Sequence, residues 1–171
     1  RTNNINGGSF ALVMSHESSN YNQDFNNINN FKQKEHELKI NSKETWIEFK
    51  YQVQKHKDDL INCIKKLKSE NKKIFGYGAS TKGNVILQYC GFSSKEIQFM
   101  LERDHLKYGL ITPGSKIPII SEEEGRKMNP DVLIVFPWHF KDEIINRESQ
   151  FLEKGGKLLF PLPTIEIISK K

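Results

Sequence analysis

The sequence predicts an α/β fold: a Rossmann-like parallel sheet with helices on both faces, preceded by a strand, a polar loop and a long amphipathic helix. Three observations carry this. From residue 72 onward, short apolar runs alternate with helical patterns, the order that specifies a parallel sheet with crossover helices. Within that stretch a buried strand runs through a glycine turn, Gly76 to Asn84, into an apolar helix. Further on, Asp131-Val132-Leu133-Ile134-Val135-Phe136 is an uninterrupted apolar run, as a strand covered on both faces requires.

The elements follow in order. Arg1 to Asn6 reads as the tail of something upstream, and the start at Arg1 instead of Met reads as a cut from a longer protein. Gly7-Gly8-Ser9 leads into Phe10 to Met14, a compact apolar strand. Ser15 to Asn30, rich in Asn and Ser, reads as a loop or linker, because it holds too few large aliphatics to fold alone. The expected organisation is an arm over 1–40 and a Rossmann-like domain over 41–171.

Asn41-Ser42-Lys43-Glu44 is a capping box opening a long helix. Its stripe of Trp46, Phe49, Val53, Leu60, Ile64 and Leu67 predicts one amphipathic face ending near Ser69-Glu70-Asn71. His56, between Lys55 and Lys57, reads as a surface residue. Ile97 to Leu101 is the second strand, ending at Glu102-Arg103-Asp104. Thr112-Pro113-Gly114 is a tight turn, and Pro118 confines Ile117 to Ile120 to a sheet edge, if they form a strand at all. Ser121 caps a short acidic helix through Glu122, Glu123 and Glu124. After the central run, a helix carries Phe140, Ile144, Ile145, Phe151 and Leu152 to a stop at Gly155-Gly156. Lys157 to Phe160 is the last strand, followed by a tail with Ile165, Ile167 and Ile168.

The chain has 171 residues and a formal charge of +5. The excess comes from scattered lysines, not from one basic element with interleaved aromatics, so nucleic acid is not the expected partner. No apolar run approaches ~18 residues, so no membrane span is expected. Cys63 and Cys90 sit in apolar helical patterns and form no CxxC, which reads as reduced core thiols and a cytoplasmic protein. No HExxH, Cys/His ligand spacing or Ser-His-Asp set is evident, so no metal is expected.

The glycine turn is the candidate site. Amides left unpaired where a helix begins converge on one spot, and that spot favours an anion, above all a phosphate. Gly76, Tyr77, Gly78, Ala79, Ser80, Gly83 and Asn84 would supply the cradle and Lys82 a positive charge. The plain alternative is a packing turn. A dinucleotide fingerprint would have glycine where Thr81 stands, and a Walker loop would need Lys and Ser or Thr after Gly83, where the chain has Asn84 and Val85. Ligands of such sheets bind beyond the carboxyl ends of the strands. The segments Gly76 to Lys82, Glu102 to Asp104 and Pro137 to Phe140 should therefore converge. Asp104, about 20 residues past the turn, either takes ribose hydroxyls or caps a turn. Trp138 and His139 either face a ligand, by stacking and by proton or hydrogen-bond exchange, or pack beneath a loop.

Taken together, Asn6-Gly7-Gly8-Ser9, Gly76 through Asn84, Lys107-Tyr108-Gly109 through Thr112-Pro113-Gly114 to Ile117-Pro118-Ile119, Pro137-Trp138-His139-Phe140 with Glu143-Ile144, Gly155-Gly156-Lys157 and Pro161-Leu162-Pro163 resemble, in order, the C-terminal domain of the sugar C-methyltransferases. The resemblance implies a three-part enzyme: a zinc-binding domain, an S-adenosylmethionine-binding domain, and this Rossmann-like domain holding a dTDP- or UDP-linked keto-deoxysugar. It implies substrate contacts at the Gly76–Asn84 turn and at Pro137, Trp138, His139 and Phe140. It places the methyl donor and the proton-abstracting base in upstream parts of the same polypeptide. The sequence departs from the family at Ala11, where arginine is usual, and at Asn6, where histidine is frequent. Two other readings stay open: a nucleotide-sugar-binding module attached to another sugar-modifying enzyme, and a fragment of a nicotinamide-dependent oxidoreductase.

Overall fold

Along three neighbouring strands, successive side chains enter two different cores. Ile74, Val132, Ile134, Phe136 and Leu159 enter one. Phe75, Tyr77, Leu133, Val135, Leu158 and Phe160 enter the other. That period of two, with every position but Lys157 buried, marks a sheet covered on both faces. The computed structural model describes residues 2–3 and 8–170; Asn6 and Gly7 of the Gly-Gly-Ser segment lie outside them. By contacts the chain divides into two units, Arg1–Val53 and Gln54–Lys171.

In the first unit, β1 (Thr2–Asn3) pairs antiparallel with β2 (Ser9–Phe10). The apolar strand expected from Phe10 to Met14 is only this short: Leu12, Val13 and Met14 are exposed and unpaired with any strand. A helix, α1 (Phe25–Glu37), begins inside the expected polar loop and runs past its end at Asn30. Asp24 caps it, accepting from the Asn27 amide at 3.2 Å, and Gln33 bonds Glu37 one turn on. No residue of α1 is buried, so cap and side-chain pairs, and not core burial, define it locally.

Helix α2 (Lys43–Ser69) opens where the capping box predicts, with Ser42 Oγ accepting from the Thr45 amide. Its apolar stripe is buried only in its second half, at Leu60, Ile64 and Leu67. Trp46 and Phe49 remain exposed and touch each other edge to face. His56 is half-buried, with Nε2 enclosed and without a partner among the described residues, so it is not the surface residue its lysine neighbours predict.

The second unit continues with β3 (Ile74–Tyr77), α3 (Thr81–Cys90), β4 (Met100–Glu102), β5 (Ile119–Ser121), α4 (Glu122–Lys127), β6 (Val132–Val135), α5 (Lys141–Arg147), α6 (Ser149–Glu153), β7 (Lys157–Phe160) and β8 (Glu166–Ile168). The strands form one sheet in the order β5-β4-β3-β6-β7-β8. β5 to β7 pair parallel, as expected; β8 adds an antiparallel edge on β7, where a simple tail is expected. β5 is the other edge, next to Pro118. The second half of α2 and α3 cover one face; α5 and α6 cover the other. The helix expected across Phe140 to Leu152 is two helices, broken at Glu148.

Burial dominates the energetics. A fully buried Leu, Ile or Phe contributes roughly 1.5–3 kcal/mol, whereas exposed pairs such as Lys55–Asp59 and Lys127–Glu123 contribute about 0–1 kcal/mol each. Cys63 and Cys90 are free thiols packed at the margin of the first core. Burial pushes the Cys90 thiol up to about 11. No described helix is long and apolar enough to cross a membrane.

Gly83 shows how tightly helix meets sheet. A Cβ there would stand 2.8 Å from both Cβ and Cγ of Phe136. Gly83→Ala should therefore cost about 1–3 kcal/mol of overpacking, more than the ~1 kcal/mol that alanine gains in helix propensity. Urea unfolding of the variant checks it; unchanged or increased stability would show that Phe136 moves aside freely.

Candidate functional site

The chain leaves β3 toward β4 and β5 on one side, then crosses to β6 on the other. Such a switch point opens a crevice beyond the carboxyl ends of the strands. A cavity of about 430 Å³ lies there. Tyr77, Gly78, Ala79 and Ser80 line it from the end of β3, Glu102, Arg103 and Lys107 from the end of β4, and Pro137 and Phe140 from the end of β6. Glu122 of α4 and Glu143, Ile144 and Arg147 of α5 complete the wall. The three expected segments thus meet in one place.

Backbone chemistry explains the turn. Gly78 has φ of 84°, a left-handed conformation that glycine adopts without strain. Its amide donates to Leu101 O at 2.8 Å, and a Cβ on it would stand 2.8 Å from Pro137 Cδ. The two loops that bound the crevice approach that closely. Ser80 caps α3, its Oγ accepting from the Gly83 amide at 3.0 Å.

The amides at the head of α3 are partly spent within the protein. The Ala79 amide donates to Glu102 Oε2 at 3.0 Å. The other oxygen of Glu102 accepts the amides of Arg103 and Asp104 at 2.8 and 3.1 Å. Lys107 Nζ lies 3.1 Å from Glu102 Oε2 and 3.3 Å from Ala79 O. Burial works to raise the Glu102 carboxyl, but the Asp104 amide, the Lys107 ammonium and the Arg103 amide together hold it below its ordinary value. Glu102, which the sequence analysis places in a converging segment without giving it a role, accepts the hydrogen bonds of this corner. The signal for it was the strand end itself, where residue spacing pointed to Asp104.

The remaining candidates separate by location. Asp104 is exposed and caps a 3-10 turn, accepting the Leu106 amide at 3.1 Å. Gly76 is walled in, since an added Cβ would meet Met100 Sδ at 2.4 Å. Gly83 faces Phe136, as above. Asn84 is half-buried, its Oδ1 enclosed without a partner among the described residues. Lys82, Trp138 and His139 form a group of their own outside the cavity lining: Lys82 Nζ lies 5.9 Å from the Trp138 ring centroid, and His139 packs at 4.3 Å against the Phe140 ring. Desolvation, then the Lys82 charge, lowers the His139 imidazole below its usual range, and its Nδ1 is enclosed without a partner among the described residues.

Charges around the cavity are matched. Glu122 pairs with Arg147 and with Arg126, the latter at 3.3 Å. Burial, opposed by Arg126, leaves the Glu122 carboxyl above its ordinary value. Among the described residues no hydrogen-bonded or ion-paired partner meets the side chains of Arg103 and Glu143. Arg103 acts on Glu122 only through its charge, and it and Glu143 line the cavity beside an apolar wall of Pro137, Phe140 and Ile144. The described residues contain no group of His, Cys, Asp and Glu able to hold a metal ion.

Glu102 yields a pH-dependent expectation. Its folded pKa lies below the unfolded one, so its stabilisation is complete above the unfolded carboxylate range and lost as pH falls through the folded value. Glu102→Gln should cost about 1–3 kcal/mol at pH 7, and the difference from wild type should shrink near pH 3. Urea unfolding at both pH values measures this.

A family described as the C-methyltransferase C-terminal domain matches residues 4–163. The chain is 36% identical over 122 residues to the C-methyltransferase NovU of Streptomyces niveus; the match covers 71% of this chain and 29% of NovU. It therefore spans less than a third of that relative. With the α/β sheet and its switch-point cavity, the match over nearly the whole length places this chain in the family of C-methyltransferase C-terminal domains.

Proposed function

We propose that this chain is the substrate-holding part of an S-adenosylmethionine-dependent methyltransferase that C-methylates a nucleotide-linked keto-deoxysugar. The observation that carries the reading is the composition of the switch-point cavity. Paired charges, a guanidinium and a carboxylate without hydrogen-bonded partners among the described residues, and an apolar wall suit a ligand that is part sugar and part diphosphate. Arg103 at the β4 end, with Lys82 at the head of α3, takes the diphosphate charge. Glu143 accepts from sugar hydroxyls, and Phe140 and Pro137 cover the apolar side of the ring. Trp138 and His139 stand beside Lys82 to receive the nucleotide.

S-adenosylmethionine is placed outside this cavity in the present reading. Glu102, the carboxylate at the strand end that would take its ribose hydroxyls, is already bound to the Ala79, Arg103 and Asp104 amides and to Lys107. No acidic-Gly-x-Gly-x-Gly segment occurs in the chain. The methyl donor, and the base that removes the proton beside the keto group, are assigned to another part of the polypeptide. The role of this chain is to bind and orient.

Arg103→Ala and Lys82→Ala should each weaken dTDP-glucose or UDP-glucose binding about tenfold, equivalent to about 1.4 kcal/mol. Titration calorimetry reads the change. Unaltered affinity in both variants would remove the diphosphate assignment.

A further inference from the structure

Apolar periodicity predicts one helix from Phe140 to Leu152, yet the chain breaks between α5 and α6 at Glu148. The break carries a carboxylate inward: Glu148 is 2% exposed. A buried carboxylate persists only when it is paired and hydrogen-bonded. Glu148 has three partners from three elements. The Tyr77 hydroxyl, on β3, donates to Oε1 at 3.0 Å. Arg126, on α4, donates to the same oxygen through Nη2 at 2.5 Å. Arg147 Nε, on α5, stands 3.6 Å from it.

Two of these partners reach the cavity wall, Tyr77 from within the second core. Tyr77 and Arg147 line the cavity, whereas Glu148 stands behind them. The Arg147 guanidinium also lies 5.1 Å from the Tyr77 ring centroid and pairs with Glu122. Arg126 reaches the same Glu122. The two guanidiniums are thus balanced by two carboxylates, Glu122 at the cavity surface and Glu148 behind it. Glu148 takes no part in the ligand contacts assigned above.

We propose that Glu148 is the positioning residue of this cavity: it fixes Tyr77 and Arg147 in the wall and balances Arg126 and Arg147, so that the wall favours a hydroxyl-bearing sugar over a simple inorganic anion. The ligand class rests on the sugar-binding reading above. Without this charge, Glu122 alone balances two guanidiniums. Tyr77 and Arg147 then lose the buried partner that fixes them in the wall, Glu122 cannot hold both guanidiniums in place alone, and the wall becomes more positive.

The test uses the full chain and its four arginines, Arg1, Arg103, Arg126 and Arg147, which keep a guanidinium NMR spectrum simple. In wild type and in Tyr77→Phe, two guanidiniums should exchange their protons slowly. In Glu148→Gln that protection should disappear, and its persistence would overturn the positioning role. In calorimetry, Glu148→Gln should weaken dTDP-glucose about tenfold while inorganic pyrophosphate binds as well or better; Tyr77→Phe, which removes one bond and no charge, should weaken dTDP-glucose about threefold. Equal losses for both ligands in Glu148→Gln would overturn the selectivity, and so would unchanged dTDP-glucose binding in either variant. If Glu148→Gln does not fold, Tyr77→Phe decides alone. A wild-type chain that binds no dTDP-glucose would sink the sugar reading, and the guanidinium spectra would still decide whether Glu148 positions the wall.

Discussion

A single carboxylate ties together the two strand ends that define the site. Glu102 closes β4 and accepts the Ala79 amide of the turn that follows β3. The same side chain gathers the next two amides of its own loop and the Lys107 ammonium. Its burial raises a desolvation cost, and four donors offset it. This carboxylate thus ties the turn after β3 to the loop after β4 at the edge of the cavity. A turn of this type could hold an external anion on its bare amides. Here an internal carboxylate has taken one of them.

Helix–sheet contact sets the second condition. The close approaches of Gly83 to Phe136 and of Gly78 to Pro137 bring the head of α3 against the end of β6. The glycines that look from sequence like a phosphate cradle divide their work. Gly76 and Gly83 serve packing, whereas Gly78 serves a left-handed turn at the cavity edge.

Much of the fold was legible because it rests on periodicity. The fully apolar run at Val132–Val135, the opening of α2 at the Asn41–Glu44 segment and the cap of α4 at Ser121 are local signals, and each falls where sequence patterns put it. What escaped was decided by tertiary partners. α1 buries nothing, so no hydrophobic stripe of core strength announces it. The break at Glu148 coincides with a hydroxyl and a guanidinium brought from elsewhere in the chain, beside the guanidinium of its neighbour Arg147. β8 pairs only because β7 leaves an open edge. At the site, the convergence of three strand ends was readable from topology. Spacing could not distinguish Glu102 from Asp104, two residues apart, because only the folded loop shows which one turns back to Ala79 and which one caps its own turn.

The strand order also bears on synthesis. β3 lies at the middle of the sheet, but its partner on one side, β6, is made long after its partner on the other, β4. A nascent chain that has left the ribosome only as far as β5 holds β3 with one flank bare, and that flank is buried apolar strand in the finished protein. Pairing across so long a stretch of chain is slow, and an open strand edge recruits other chains while it waits. The central position that organises the cavity is also the point at which the unfinished polypeptide is most exposed to misassembly.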